Sequence, residues 1–232
     1  MSVRTMKKIA RIFSPLLGVT VSVLLLAGAP WAHAVGTLVI SDGSSTIVVT
    51  DGSGSDANSN PNVVQFTGVL GIWNITAVGS TGIGAGAPNE LTLGASETSS
   101  SGPGTLKLFY SDINFSLSGT VSYTNSFGGT AGTGRSLSPT TWWDASNLVT
   151  NETTQLTSQG PFTTASFNQT VSGNTSVTSP FSLTIETDIT HSTASFSSFS
   201  DTLVLVPEPG TWALCALGLT GLFVQVRARR RK

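Results

Sequence analysis

Phe181-Ser-Leu-Thr-Ile-Glu-Thr-Asp-Ile189 carries apolar side chains at 181, 183, 185 and 189, with Ser, Thr, Glu and Asp between them. A period of two sends successive side chains to opposite faces of an extended chain, so this stretch predicts a strand with one apolar and one polar face. Phe115-Ser-Leu-Ser-Gly-Thr-Val-Ser-Tyr123 repeats the pattern at 115, 117, 121 and 123. Upstream, Thr37–Ile40 and Thr46–Thr50 enclose Asp42-Gly43, and Asp51-Gly52 follows. Asp-Gly between apolar runs signals a hairpin. Further runs lie at Val63–Thr67, Ile72–Val78, Glu90–Leu93, Thr105–Tyr110, Phe162–Val171 and Thr202–Val206. About ten short strands of this kind predict an all-β fold, an antiparallel β-sandwich of jelly-roll-like form. One helical turn is placed near Trp142–Leu148. Long loops are placed at Gly52–Pro61, Gly79–Asn89 and Ser96–Gly104. Ser and Thr fill 59 of the 172 positions from 35 to 206, a composition that also suits disorder. The regular alternation with β-branched and aromatic residues argues for the folded reading.

The two ends of the chain differ from this body. Arg4, Lys7, Lys8 and Arg11 precede an apolar run over Ile12–Ala29, and Ala32-His33-Ala34 sets small residues before a cut. This reads as a secretory signal peptide over 1–34, removed by signal peptidase after Ala34; an uncleaved anchor helix is the alternative. At the other end stand Pro207-Glu208-Pro209, an uncharged stretch from Thr211 to Val226, and the cluster Arg227, Arg229, Arg230, Arg231 and Lys232. Sixteen helical residues span about 24 Å, against a hydrocarbon core of roughly 30 Å. Arginine side chains snorkel to close such a gap, and cations beside a membrane segment stay cytoplasmic. The expectation is a transmembrane helix over 211–226, a basic tail over 227–232 as the membrane stop, and the body outside. A buried core helix with a solvated basic end is the plainer alternative.

Between the ends, residues 35–206 hold two cations, Lys107 and Arg135, against eleven acids, a formal charge of −9. The chain-wide value of −1 hides this, because nine of the eleven cations lie in the terminal segments. Such a body has no electrostatic footprint for nucleic acid. The one cysteine, Cys215, lies in the apolar C-terminal stretch and allows no intramolecular disulfide.

The ordered C-terminal elements resemble the PEP-CTERM sorting signal of Gram-negative bacteria, over Val206–Lys232. The resemblance implies recognition of Pro207, Glu208 and Pro209 by exosortase, an integral-membrane cysteine protease resembling transpeptidases. It implies transient anchoring in the inner membrane, cleavage near the tripeptide, and release or transfer to the cell surface, commonly alongside exopolysaccharide and biofilm. The run Ile185–Phe199, with the tail close behind it, resembles bodies that such proteins carry. The mature chain is expected to begin near Val35 and end near Val206.

Chemistry in the body is sparse. His191 is its one histidine. A His-based metal site needs more ligands, so no metal centre is expected. A Ser-His-Asp triad would need His191 as base; a solvent-facing histidine at a strand end is the plainer reading. Glu186 and Asp188 lie two apart on one strand face, about 7 Å by strand rise, a separation that glycoside chemistry can use. An acidic outer face looks the same. Asp51, Asp56, Asn58 and Asn60 gather oxygen ligands on one loop, which suits calcium, although the spacing fits no EF-hand; an Asx-turn loop is the plainer reading. Trp73, Trp142 and Trp143 are the candidate sugar contacts of a lectin-like sandwich. Trp142 and Trp143 point to opposite faces if extended, so at least one belongs to the core. The sequence reading is therefore a non-enzymatic exported surface or matrix protein. Its alternatives are a carbohydrate-binding sandwich and a secreted glycan hydrolase.

Overall fold

A computed structural model of the chain describes residues 35–82 and 89–208. The expected signal peptide with Ala32 and Ala34, Pro209, the helix over 211–226 with Cys215, and the basic cluster Arg227, Arg229, Arg230, Arg231 and Lys232 lie outside those residues. Among the described residues, no helix is long and apolar enough to cross a membrane.

Twelve strands form: β1 (Thr37–Ser41), β2 (Thr46–Thr50), β3 (Val63–Leu70), β4 (Trp73–Gly82), β5 (Asn89–Ser100), β6 (Gly104–Phe115), β7 (Gly119–Ala131), β8 (Arg135–Asp144), β9 (Thr154–Ser158), β10 (Ser166–Val177), β11 (Phe181–His191) and β12 (Ser195–Pro207). They make two six-stranded sheets, ordered β2-β1-β6-β11-β8-β9 and β10-β7-β12-β5-β4-β3. Strands β5 to β12 pair antiparallel from the outside inwards: β5 with β12, β6 with β11, β7 with β10 and β8 with β9. This is one long hairpin folded across two sheets, the connectivity of a jelly roll. Strands β1 and β2 extend the first sheet beside β6, and β3 and β4 extend the second beside β5.

The apolar phase of each strand meets between the sheets. Leu38, Ile40, Leu106, Leu108, Leu183, Ile185 and Ile189 enter from the first sheet, and Ile75, Leu91, Leu93, Phe127, Leu203 and Leu205 from the second. Phe127 packs on Phe162, Phe167 and Phe199 with ring centroids 5.2 to 5.4 Å apart. Close-packed apolar contact of this kind is the dominant favourable term in folding.

Several expectations need correction. Phe115–Tyr123 is not one strand. Phe115 ends β6 in the first sheet, and Gly119 starts β7 in the second at φ +95, a conformation glycine enters freely. The apolar phase survives the crossing, since Phe115 and Val121 are both fully buried. No helical turn forms over Trp142–Leu148. Trp142 and Trp143 pair with Thr184 and Leu183 on β11, and turns follow from residue 145. Strands β8 and β9 were not read in the sequence; in β8, Pro139 and Thr141 stand at inward positions and dull the apolar signal. Strand β5 runs on to Ser100, so the expected loop over Ser96–Gly104 shrinks to three residues. Gly52–Pro61 is a loop, as expected.

The outer face of β11 is the clearest departure. Its Ser182, Thr184 and Glu186 were expected in solvent and are only 1, 1 and 8 % exposed. The segment over residues 145–153 folds across them. Ser182 Oγ donates to Leu148 O at 2.8 Å, and Thr150 N donates to Ser111 Oγ at 3.0 Å. Ser111 Oγ in turn lies 2.9 Å from Thr184 Oγ1.

Candidate functional site

The end of β12 is where the second sheet reaches Pro207 and Glu208. Leu205 pairs with Asn89 on β5 and with Tyr123 on β7. Val206 and Pro207 continue the β7 ladder opposite Ser122 and Val121. Proline fits the end of a strand, where its missing N–H costs no ladder bond. Glu208 N then donates to Thr120 O at 3.4 Å, and Asn174 Nδ2 donates to Glu208 Oε1 at 2.7 Å. The last strand therefore includes the first residue of the tripeptide, and the second is held against β7 and β10.

The carboxylates Glu186 and Asp188 share one cation. Lys107 Nζ lies 2.6 Å from Glu186 Oε1 and 3.0 Å from Asp188 Oδ1. Partial burial opposes the charged ammonium, but its bonds to the two carboxylates win and hold the Lys107 pKa above its ordinary value. Glu152 approaches the same group; burial first, then the Glu186 charge, raises its pKa. Both carboxylates are thus tied to one ammonium, and the covering segment leaves the Glu186 side chain only 10 % exposed.

His191 is not on a solvent face. It is 1 % exposed, with Nδ1 2.8 Å from Ser100 Oγ and Nε2 3.0 Å from Ser197 Oγ. Burial, then the charge of Arg135, lowers its pKa, which favours the neutral ring. A neutral imidazole donates from one nitrogen and accepts at the other, and two hydroxyls satisfy both roles. Among the described residues no carboxylate hydrogen-bonds to it, and a catalytic triad requires one to orient the base.

The oxygen-rich loop is occupied by its own backbone. Asp56 accepts from Gly52 N at 3.2 Å, Asn58 N at 3.0 Å and Gln65 N at 2.9 Å. Asp51 accepts from Asn62 N at 2.8 Å, and Asn58 accepts from Asn60 N at 2.9 Å. The bonds to Asn58 N and Asn60 N are Asx turns, and the longer-range ones tie the β2–β3 connection together. No cluster of three metal-ligating side chains occurs among the described residues.

The three tryptophans do not form a platform. Trp73 is 1 % exposed and packs on His191, so it offers no ring face to a ligand. Trp143 meets Phe181 edge-on at the margin of the core. Trp142 pairs with Thr184 on the outer side of the first sheet and is half-buried.

Two features went unread in the sequence. The first is a buried polar chain between the sheets. Asp201 is fully buried and accepts from Asn125 Nδ2. Asn125 Oδ1 accepts from Thr157 Oγ1 at 3.0 Å and from Gln159 Nε2, and Thr157 Oγ1 lies 2.7 Å from Thr141 Oγ1. Burial outweighs the Asn125 bond and pushes the Asp201 pKa up to about 7. A signal was present, for Asp201 stands in the apolar phase of Phe199, Leu203 and Leu205. The second is a shallow trough of about 500 Å³ across the second sheet, lined by Val78, Gly94, Gly128, Thr130, Ser198 and Ser200 among others. Gly94, Ser200 and Gly128 lie side by side on β5, β12 and β7.

The fold and the junction together define a β-sandwich joined, without an intervening linker, to a C-terminal signal. Residues 205–232 match the PEP-CTERM protein-sorting motif, so the chain carries that motif directly after its last strand. No curated protein matches the chain. Among solved structures, TmCBM61 in complex with β-1,4-galactotriose shares 9 % identity at a TM-score of 0.31, over 59 % of this chain and 88 % of that one. A structure from work on carbohydrate-binding modules of the β-sandwich superfamily shares 13 % at 0.37, over 75 % of this chain and 74 % of that one. A structure of infectious bursal disease virus, Gx strain, shares 16 % at 0.36, over 79 % of this chain and 53 % of that one. Likenesses at these scores assign no activity to this chain.

Proposed function

We propose that the chain is an exported surface protein of a Gram-negative bacterium, sorted and cut by exosortase, with the β-sandwich as non-catalytic cargo. The single observation behind this reading is that the sorting motif begins inside the last strand: Leu205 and Val206 are at once ladder residues of β12 and the start of the matched segment. Signal peptidase frees the N-terminus near Val35. The apolar stretch over 211–226 and the basic cluster halt the tail in the inner membrane until the tripeptide is processed. Association with exopolysaccharide or biofilm belongs to the same proposal. The non-catalytic part draws support from Glu186 and Asp188, which are tied to Lys107, and from His191, which is enclosed by two serines. Deleting residues 227–232 tests the anchoring step. The expected result is loss of membrane retention with little processed product; unchanged processing would count against a membrane-stop role.

A second reading, carbohydrate binding, moves from the tryptophans to the trough. Glycine inside a strand weakens it and often marks the close approach of another group. A Cβ at Gly94 or Gly128 would meet nothing nearer than 3.6 or 3.5 Å, so the fold itself does not require glycine at either place. Gly94→Val with Gly128→Val would fill the trough. Retention of polysaccharide from the producing cells by the wild-type body, lost in the filled variant, is the expected outcome; equal retention sinks this reading.

A further inference from the structure

The sorting tripeptide does not hang on a tether. β12 keeps its ladder with β7 through Pro207, Thr120 O accepts from Glu208 N at 3.4 Å, and Asn174 Nδ2 donates to Glu208 Oε1 at 2.7 Å. Asn174 stands on β10, the edge strand of the second sheet, opposite Ser122. Glu208 carries the only charge between Asp201 and Arg227, so its carboxylate is the one ionic handle of the tripeptide. The body grips that handle with a neutral amide. Its formal charge of −9 over 35–206 would otherwise repel a further carboxylate.

We infer that Asn174 is a positioning residue for processing: it docks Glu208 on the folded body as a continuation of β12, and the sorting enzyme must lift it off before the tripeptide can be read. This rests on the reading that the tripeptide is the enzyme's substrate. Recognition of an extended segment uses its backbone edge and alternate side chains. From Val206 to Glu208, β7 already holds one backbone edge and Asn174 holds the Glu208 side chain. Docking and enzyme binding therefore compete, and the rate of processing scales with the undocked fraction. Losing one charge-assisted hydrogen bond at an exposed site raises that fraction by about threefold to tenfold.

The test follows conversion of the full-length chain by pulse–chase in cells that carry the exosortase. N174A is expected to be processed about threefold to tenfold faster than wild type. N174D should be at least as fast, because a second carboxylate beside Glu208 repels it. N174Q, which keeps the amide donor, should return towards the wild-type rate. The thermal midpoint of the secreted body reports any purely structural effect, and substitution at this exposed edge should leave it within about 2 °C. Equal rates for wild type, N174A and N174D would overturn the inference, as would slower processing in N174A and N174D. An uncut wild-type chain would instead overturn the reading beneath it.

Discussion

The two sheets present outer faces built from the same kinds of residue, and the faces end up in different surroundings. On the second sheet, Ser126 and Thr170 pair hydroxyls at 3.1 Å in an exposed setting, and Ser200 is open to solvent. On the first sheet, Ser111, Ser182 and Thr184 are equally small and polar, yet each is 1 % exposed or less beneath the segment over residues 145–153. Alternation in a sequence says which side chains share a face. It does not say whether a later segment will cover that face. Once covered, each hydroxyl must find a partner or cost free energy, and the Ser111 contacts are that solution.

The interior also holds titratable groups of opposite effect. Asp201 of the second sheet has its pKa raised from 3.8 to about 7 by burial. In that window the native state binds more protons than the unfolded state, so stability falls as pH rises. The contribution of Asp201 is complete below about pH 4 and is lost by about pH 7. At 1.36 kcal/mol per unit this is on the order of 4 kcal/mol as an upper figure. His191 of the first sheet has its pKa lowered by burial and by Arg135, so its contribution is present above its ordinary value of 6.5 and is lost as pH falls below it. Asp112, raised to about 6 by burial, adds to the Asp201 trend. The largest expected effect is therefore in Asp201→Asn, which should remove most of the loss of thermal midpoint between pH 4 and pH 7. An unchanged slope would mean that Asp201 does not titrate in the fold.

The next effects sharpen the contrast between the faces. Ser111→Ala leaves Thr150 N without its acceptor in a partly buried place, which costs about 1–3 kcal/mol by urea unfolding. Lys107→Met leaves Glu186 partly buried without its cation. Because the Lys107 side chain is 45 % exposed, the cost is smaller, about 1–2 kcal/mol. Ser126→Ala, on the open face, should change stability by no more than about 0.5 kcal/mol. Equal costs for Ser111→Ala and Ser126→Ala would erase the distinction between a covered and an open face.

Much of this fold was legible before any coordinates. β1 and β2 fall within a residue of the runs around Asp42-Gly43, because a tight turn and two alternating strands are local properties. The Asx turns of Asp56 were legible for the same reason. What escaped depends on partners far along the chain. β8 holds Trp142 and Trp143 extended because β11 pairs with them from some forty residues away. His191 was expected outside, but its strand ends between Ser100 and Ser197, which come from other strands. Asn174 gave no signal at all, since its role depends on where β12 stops.

The central claim is that the β-rich body ends at the tripeptide and that the tail beyond it is removed. Intact-mass measurement of the purified extracellular protein tests this most directly. The account predicts a chain beginning near Val35, ending close to Pro207-Glu208-Pro209 and lacking residues 211–232. A mature species that retains Arg231 and Lys232 would contradict it.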